Sequence, residues 1–132
     1  MSSTGQGHVI YIIEDDTGVR EALCRLVRSA GLEARPFGTT DQFLAEVQSP
    51  ASGCILLDIT PPAAGCAGLQ GALRARDIQL PLIAISARHD AATRRRARAL
   101  GSRFFMGKPV DDQALLDAIE WVIETGRNGT TG

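Results

Sequence analysis

Five short apolar runs rich in β-branched residues punctuate the chain: Val9 to Ile13, Leu32 to Phe37, Cys54 to Leu57, Leu80 to Ile85 and Phe104 to Met106. They read as strands, the second and fifth carrying the weaker signal. Between them the apolar positions change to helical spacing. Val19, Leu23, Leu26, Val27 and Ala30 share one helix face, with Thr17 as the N-cap and Gly31 as the stop. Phe43, Leu44 and Val47 follow Thr39 and Thr40 in a second helix, and Leu69, Ala72 and Leu73 mark a third, weakened by glycine. Asp90 opens a fourth that ends at Gly101, and Leu115, Leu116, Ile119, Val122 and Ile123 stripe a fifth behind Asp111 and Asp112. Regular alternation of strand and helix implies parallel strands joined by right-handed crossovers, with helices on both faces of the sheet. The predicted fold class is therefore α/β.

At 132 residues the chain accommodates one core, and the pattern predicts a single domain over residues 8–124. The glycine-containing segments 1–7 and 125–132 are expected to be flexible ends. A 44% hydrophobic and 22% charged composition is that of a soluble globular protein. Fourteen basic and fifteen acidic side chains leave a formal charge of -1, so no overall field favours a polyanion, and direct nucleic-acid binding is not expected. No stretch has the length of a membrane span and the start lacks the regions of a signal peptide, which predicts a cytoplasmic protein without membrane association. Cys24, Cys54 and Cys66 are odd in number and have no zinc-ligand spacing, so they read as small core fillers.

In an open α/β sheet the ligand sits beyond the carboxyl ends of the strands, near the point where strand order reverses. Glu14, Asp15 and Asp16 follow the first run, Asp58 the third, Ser86 closes the fourth, and Lys108 lies just beyond the fifth. Taken singly, each has an ordinary explanation: acidic residues there cap helices, serines serve turns, and lysines are solvated. Joint placement of complementary groups at four strand ends points to a site. Carboxylates crowded together either raise a pKa or call for a cation, and Mg²⁺ with its preference for oxygen ligands suits Asp15 and Asp58. An ionised Asp58 needs no general base to attack phosphorus, while Lys108 and the Ser86 hydroxyl can stabilise the equatorial oxygens of a phosphoryl group.

The segments IIEDD, CILLD, LIAIS and GKP, in this order and at these separations, resemble the receiver domain of two-component response regulators, from about His8 to Glu124. SAGLEARPFGTTDQFLA further resembles receivers of the nitrogen-fixation type, which usually carry LuxR-like output domains. The resemblance implies a flavodoxin-like sheet of strand order 2-1-3-4-5, phosphorylated by a histidine kinase and controlling an output, transcription in that subfamily. It makes Asp58 the phospho-acceptor, Asp15 a direct metal ligand, Glu14 a water-mediated one and the Thr60 carbonyl a further ligand. Ser86 and Lys108 would bind the phosphoryl group, Phe105 would be the aromatic switch partner of Ser86, and the bond before Pro109 would be cis. The protein would be a self-phosphorylating and self-dephosphorylating switch and not a turnover enzyme.

Several positions depart from the family pattern: Glu14 for aspartate, Pro61 and Pro62 after Thr60, Cys66 for glycine, Gly107 for glutamate and Val110 for phenylalanine. These leave a pseudo-receiver, an interaction module without phosphorylation, as the alternative. A phosphohydrolase built on an aspartyl phosphate is disfavoured, because Thr60 stands where such enzymes carry their acid/base aspartate. The segment Thr93 to Arg98 carries Arg94, Arg95, Arg96 and Arg98, and the fifth helix offers Asp112, Asp117, Glu120 and Glu124, either as solvated helix faces or as a docking surface. In the family the fourth helix, fifth strand and fifth helix form the output face, which predicts a homodimer there on phosphorylation.

Overall fold

A computed structural model of the chain describes residues 7–60 and 68–129. Five strands alternate with five helices: β1 (Val9–Ile13), α1 (Thr17–Ser29), β2 (Glu33–Phe37), α2 (Thr40–Glu46), β3 (Gly53–Asp58), α3 (Leu69–Ala75), β4 (Leu82–Ser86), α4 (Ala91–Ala99), β5 (Ser102–Gly107) and α5 (Asp112–Gly129). All pairings are parallel and the sheet order is β2-β1-β3-β4-β5. The chain leaves β1 toward one edge and returns from β2 to the other side of β1. Strand order thus reverses between β1 and β3.

Alternation along the strands sends side chains to two separate cores. Ile10, Ile12, Cys54, Leu56, Ile83 and Ile85 pack with Leu23, Val27, Leu115 and Ile119 from α1 and α5. Tyr11, Ile13, Ile55, Leu57, Leu82 and Ala84 pack with Phe43, Leu69, Leu73 and Ala97 on the opposite face. Burial on both sides is why β1, β3 and β4 are unbroken apolar runs and not alternating ones. Tyr11, Phe37 and Phe43 pack mutually within the second core, with Phe43 edge-on to both other rings.

The strand boundaries move where polar residues enter. β5 extends from the expected Phe104–Met106 stretch back to Ser102 and on to Gly107, because an edge strand buries less and tolerates Ser102 and Arg103. Pro81 lies before β4, yet its carbonyl still accepts from the Ile55 amide at 2.9 Å. Pro36 fits within β2 because that strand is also an edge. Gly53 has φ +131°, and a Cβ there would stand 1.9 Å from the Val9 carbonyl oxygen. Only glycine lets β3 start this close to β1.

Side-chain caps start four of the helices. Asp16, not Thr17, is the N-cap of α1: its extended backbone lets Oδ1 accept from the Val19 amide at 2.9 Å, while Thr17 is already helical. Thr39 caps α2 through the Gln42 amide, Asp90 caps α4 through the Thr93 amide, and Asp111 accepts from the Ala114 amide at the start of α5. The α5 helix runs past Glu124 to Gly129. Pro61, Pro62 and Cys66 lie outside the described residues. Among the described residues, no helix is long and apolar enough to cross a membrane.

Candidate functional site

Parallel strands bring their carboxyl ends to one edge, and four of them deliver the predicted side chains there. Glu14 and Asp15 leave β1, Asp58 ends β3, Ser86 ends β4, and Lys108 follows β5. Glu14 is buried, Asp58 is half-buried and Asp15 is exposed, and one carboxylate oxygen from each lies within 4.8 Å of the others. The cluster sits at the strand-order reversal, where α/β sheets open a crevice.

Lys108 joins the two inner acids. Its Nζ donates to Glu14 Oε1 at 3.0 Å and to Asp58 Oδ2 at 3.1 Å. The Lys108 amide donates to the Ser86 carbonyl at 2.8 Å, and the Lys108–Pro109 bond is cis, as the family resemblance implied. Glu14 Oε2 accepts from the Asp16 amide at 3.2 Å, and the Arg20 guanidinium holds the Glu14 carbonyl at 2.7 Å. Both Glu14 oxygens are therefore engaged.

Two neighbouring carboxylates with one ammonium share an uneven balance. Burial, aided by the hydrogen bond and charge of Asp58, pushes the Glu14 carboxyl up to about 7 against the opposing bonds from Lys108 and the Asp16 amide. Burial acts to raise Asp58 as well, but hydrogen bonds from Thr60, Glu14 and Lys108 outweigh it and hold Asp58 below its ordinary value. Burial would lower Lys108, but its bonds to Glu14 and Asp58 keep it above its ordinary value. Of this pair it is Asp58 that stays ionised at neutral pH and Glu14 that takes up a proton as the pH falls through about 7. The donor set of three carboxylates is all oxygen, which fits a hard divalent cation such as Mg²⁺ better than a softer metal.

Around this centre lie contacts that local sequence patterns did not reveal. The Thr60 amide donates to Asp58 Oδ1 at 2.8 Å, while the Thr60 hydroxyl accepts from the Ala87 amide at 2.8 Å and lies 3.4 Å from Ser86 Oγ. Ser86, completely buried, also accepts from the Arg88 amide at 3.0 Å. Phe105 is half-buried against the core, with His89 edge-on at 6.3 Å and the Arg94 guanidinium 4.9 Å from its ring centroid. Arg94 Nε also donates to the His89 carbonyl at 3.2 Å. Gly107 matters here for want of a side chain, since a Cβ would stand 2.2 Å from His89 Nε2. Arg96 reaches back to donate to the Ile59 carbonyl. Two of the four α4 arginines thus serve the fold, leaving Arg95 and Arg98 as exposed charge.

A doubly wound parallel α/β sheet with an acidic cluster, a lysine and a hydroxyl at its carboxyl edge defines a class of phosphoryl-handling and nucleotide-handling domains. Comparison with known proteins narrows it. The family described as Response regulator receiver domain matches residues 10–120, and the chain belongs to that family. Response regulator protein TodT of Pseudomonas putida is 39% identical over 111 residues, covering 84% of this chain and 49% of that protein. Transcriptional regulatory protein FixJ of Bradyrhizobium diazoefficiens is 30% identical over 120 residues, 91% of this chain and 58% of that protein. The solved structure of response regulator StyR superposes with a TM-score of 0.81 at 34% identity, covering 95% of this chain and 63% of that one. The chain spans about half the length of the curated relatives it matches. The family is one of signalling switches that interact with histidine kinases, not of turnover enzymes, and nothing in these relatives supports the pseudo-receiver alternative.

Proposed function

We propose that this receiver accepts a phosphoryl group on Asp58 from a histidine kinase in a Mg²⁺-dependent reaction and thereby controls an output, transcription as in its transcriptional-regulator relatives. The observation that carries the reading is the Asp58 carboxylate, held ionised and clasped by Lys108 at 3.1 Å beside Glu14 and Asp15. An Asp58 oxygen forms the bond to phosphorus as the bond from phosphorus to the donor ring nitrogen breaks; that nitrogen keeps the electron pair, and the ring leaves as neutral imidazole because its other nitrogen already carries a proton. Asp15, Asp58 and the Thr60 carbonyl would hold Mg²⁺, with Glu14 acting through water since both its oxygens are already engaged. Bound Mg²⁺ supplies neutralisation of the converging negative oxygens. Lys108 supplies a fixed positive charge to the phosphoryl group, and Ser86 a hydroxyl.

The same residues would catalyse loss of the phosphoryl group to water, so that the switch resets itself. Phosphorylation need only favour one of two arrangements of Ser86 and Phe105 to pass the signal outward. The exposed Arg95 and Arg98 on α4 and the exposed Asp117, Glu120 and Glu124 on α5 are complementary charges on neighbouring elements, which suits a homodimer across α4, β5 and α5. With acetyl phosphate and Mg²⁺, intact-mass spectrometry should show one added phosphoryl group, absent from Asp58→Asn. A persistent adduct in that variant, or none in the wild-type protein at saturating donor, would refute the assignment. Beryllofluoride, a phosphoryl mimic, should raise the mass measured by light scattering; an unchanged mass would remove the dimer.

A further inference from the structure

Thr60 occupies a position that its proposed role as a carbonyl ligand does not explain. Its amide is committed to Asp58 Oδ1, which fixes the residue directly over the acceptor carboxylate. Its side chain then reaches across to the end of β4, where the hydroxyl oxygen accepts from the Ala87 amide at 2.8 Å and lies 3.4 Å from Ser86 Oγ. The residue therefore bridges β3 and β4 at the one edge where a phosphoryl group on Asp58 would seek donors. A phosphoryl group carries three strongly accepting oxygens. Lys108 faces Asp58 from the β5 side. From the β4 side the available donors are the Ser86 hydroxyl and the Ala87 amide, and the Thr60 hydroxyl contacts both.

Ser86 is also restrained from behind. It is completely buried, and its oxygen accepts from the Arg88 amide at 3.0 Å. To serve a phosphoryl group the Ala87 amide must leave the Thr60 hydroxyl, and Ser86 Oγ, held as an acceptor by the Thr60 hydroxyl and the Arg88 amide, must turn its own proton toward the phosphoryl oxygens. Hydrogen bonds present in one arrangement and absent from the other bias the equilibrium by their full net value.

We infer that the Thr60 hydroxyl is a positioning group that latches Ser86 and Ala87 in the unphosphorylated arrangement, donating to Ser86 Oγ and competing with the phosphoryl group for the Ala87 amide. This rests on the acceptor reading of Asp58. It assigns Thr60 a side-chain role opposed to phosphorylation, separate from its backbone carbonyl. A valine at this position keeps the carbonyl, the amide and the β-branched shape and deletes the hydroxyl, with it the latch and the side-chain bond that helps hold Asp58 low.

The test is beryllofluoride affinity in the presence of Mg²⁺, measured by titration of the full chain and of the variants Thr60→Val and Thr60→Ser. Losing one net hydrogen bond from the competing arrangement should make Thr60→Val bind about fivefold more tightly, while serine, which restores a hydroxyl, should bring the affinity back toward the wild-type value. In the protein without beryllofluoride, exchange of the Ala87 amide with solvent should quicken in Thr60→Val and be slowed again by serine. A role in fold stability alone would lower the melting temperature and leave affinity unmoved. Equal or weaker binding by Thr60→Val beside tight binding by the wild type overturns the latch and leaves the acceptor reading standing. Failure of the wild-type protein to bind overturns both.

Discussion

Glu14 should report the arrival of Mg²⁺ by releasing a proton. Its carboxyl is pushed up from an ordinary 4.5 to about 7, chiefly by burial and by Asp58 beside it. A divalent cation beside Asp58 and Asp15 favours the ionised form and drives that proton off. Simple titration then predicts release of about half a proton per Mg²⁺ at pH 7, nearly one at pH 6 and about a tenth at pH 8. Apparent affinity for Mg²⁺ should weaken about tenfold from pH 8 to pH 6. The same shift acts on the fold. Because the folded carboxyl holds its proton to higher pH than the unfolded one, stability contributed at this group falls as pH rises from about 4.5 to about 7 and stays low above. At about 1.4 kcal/mol per pH unit, the loss is on the order of 3 kcal/mol, much of it recoverable with Mg²⁺. Calorimetric titration of Mg²⁺ at pH 6.5 in two buffers of different ionisation enthalpy measures the protons directly. The Glu14→Gln variant should release none. Identical heats in the two buffers for the wild type, or undiminished release from Glu14→Gln, would refute the reasoning.

Lys108→Met should leave Glu14 and Asp58 without their shared counter-charge, weakening beryllofluoride binding at least tenfold, since hydrogen bonds to charged groups contribute about 1.5–3 kcal/mol. Phe43→Ala removes a fully buried ring that contacts Tyr11 and Phe37, and urea unfolding should show a loss of about 3–5 kcal/mol with an unchanged slope. Burial pushes the Cys54 thiol up to about 12, so iodoacetamide should leave it unmodified in the folded protein and label it only under denaturing conditions, as peptide mapping would show.

The fold was legible wherever burial is two-sided. β1, β3 and β4 are central strands, and an unbroken apolar run is what burial on both faces demands. The apolar signal of β5 is shorter than the strand because its edge position admits Ser102 and Arg103. At the start of α1, Asp16 and Thr17 are both good cap residues, and only the backbone angles make Asp16 the cap. At the site, the residue types and strand ends carried Asp15, Asp58, Ser86 and Lys108 to one edge. The inward turn of Arg96 onto Ile59, the seating of His89 over Gly107 and the reach of Thr60 to Ala87 join residues on separate elements. Such contacts follow from the packed loops and leave no periodic trace in the chain.

The same non-local contacts explain how a departure from the family pattern can be accommodated. Glycine at 107 would leave the loop before Lys108 less covered, yet His89 fills that space and is itself tied through its carbonyl to Arg94, whose guanidinium covers Phe105. The longer Glu14 side chain reaches Lys108 directly, so one ammonium spans both inner carboxylates, and the remaining excess of charge is taken up by a proton. Neutralisation within the site is thus shared between a fixed charge and a titratable one. A fixed charge holds Asp58 ionised across the physiological range, whereas a titratable neighbour makes cation affinity follow pH. Glu14 therefore brings proton sensitivity to the acidic cluster while Asp15, Asp58, Ser86 and Lys108 all remain in place.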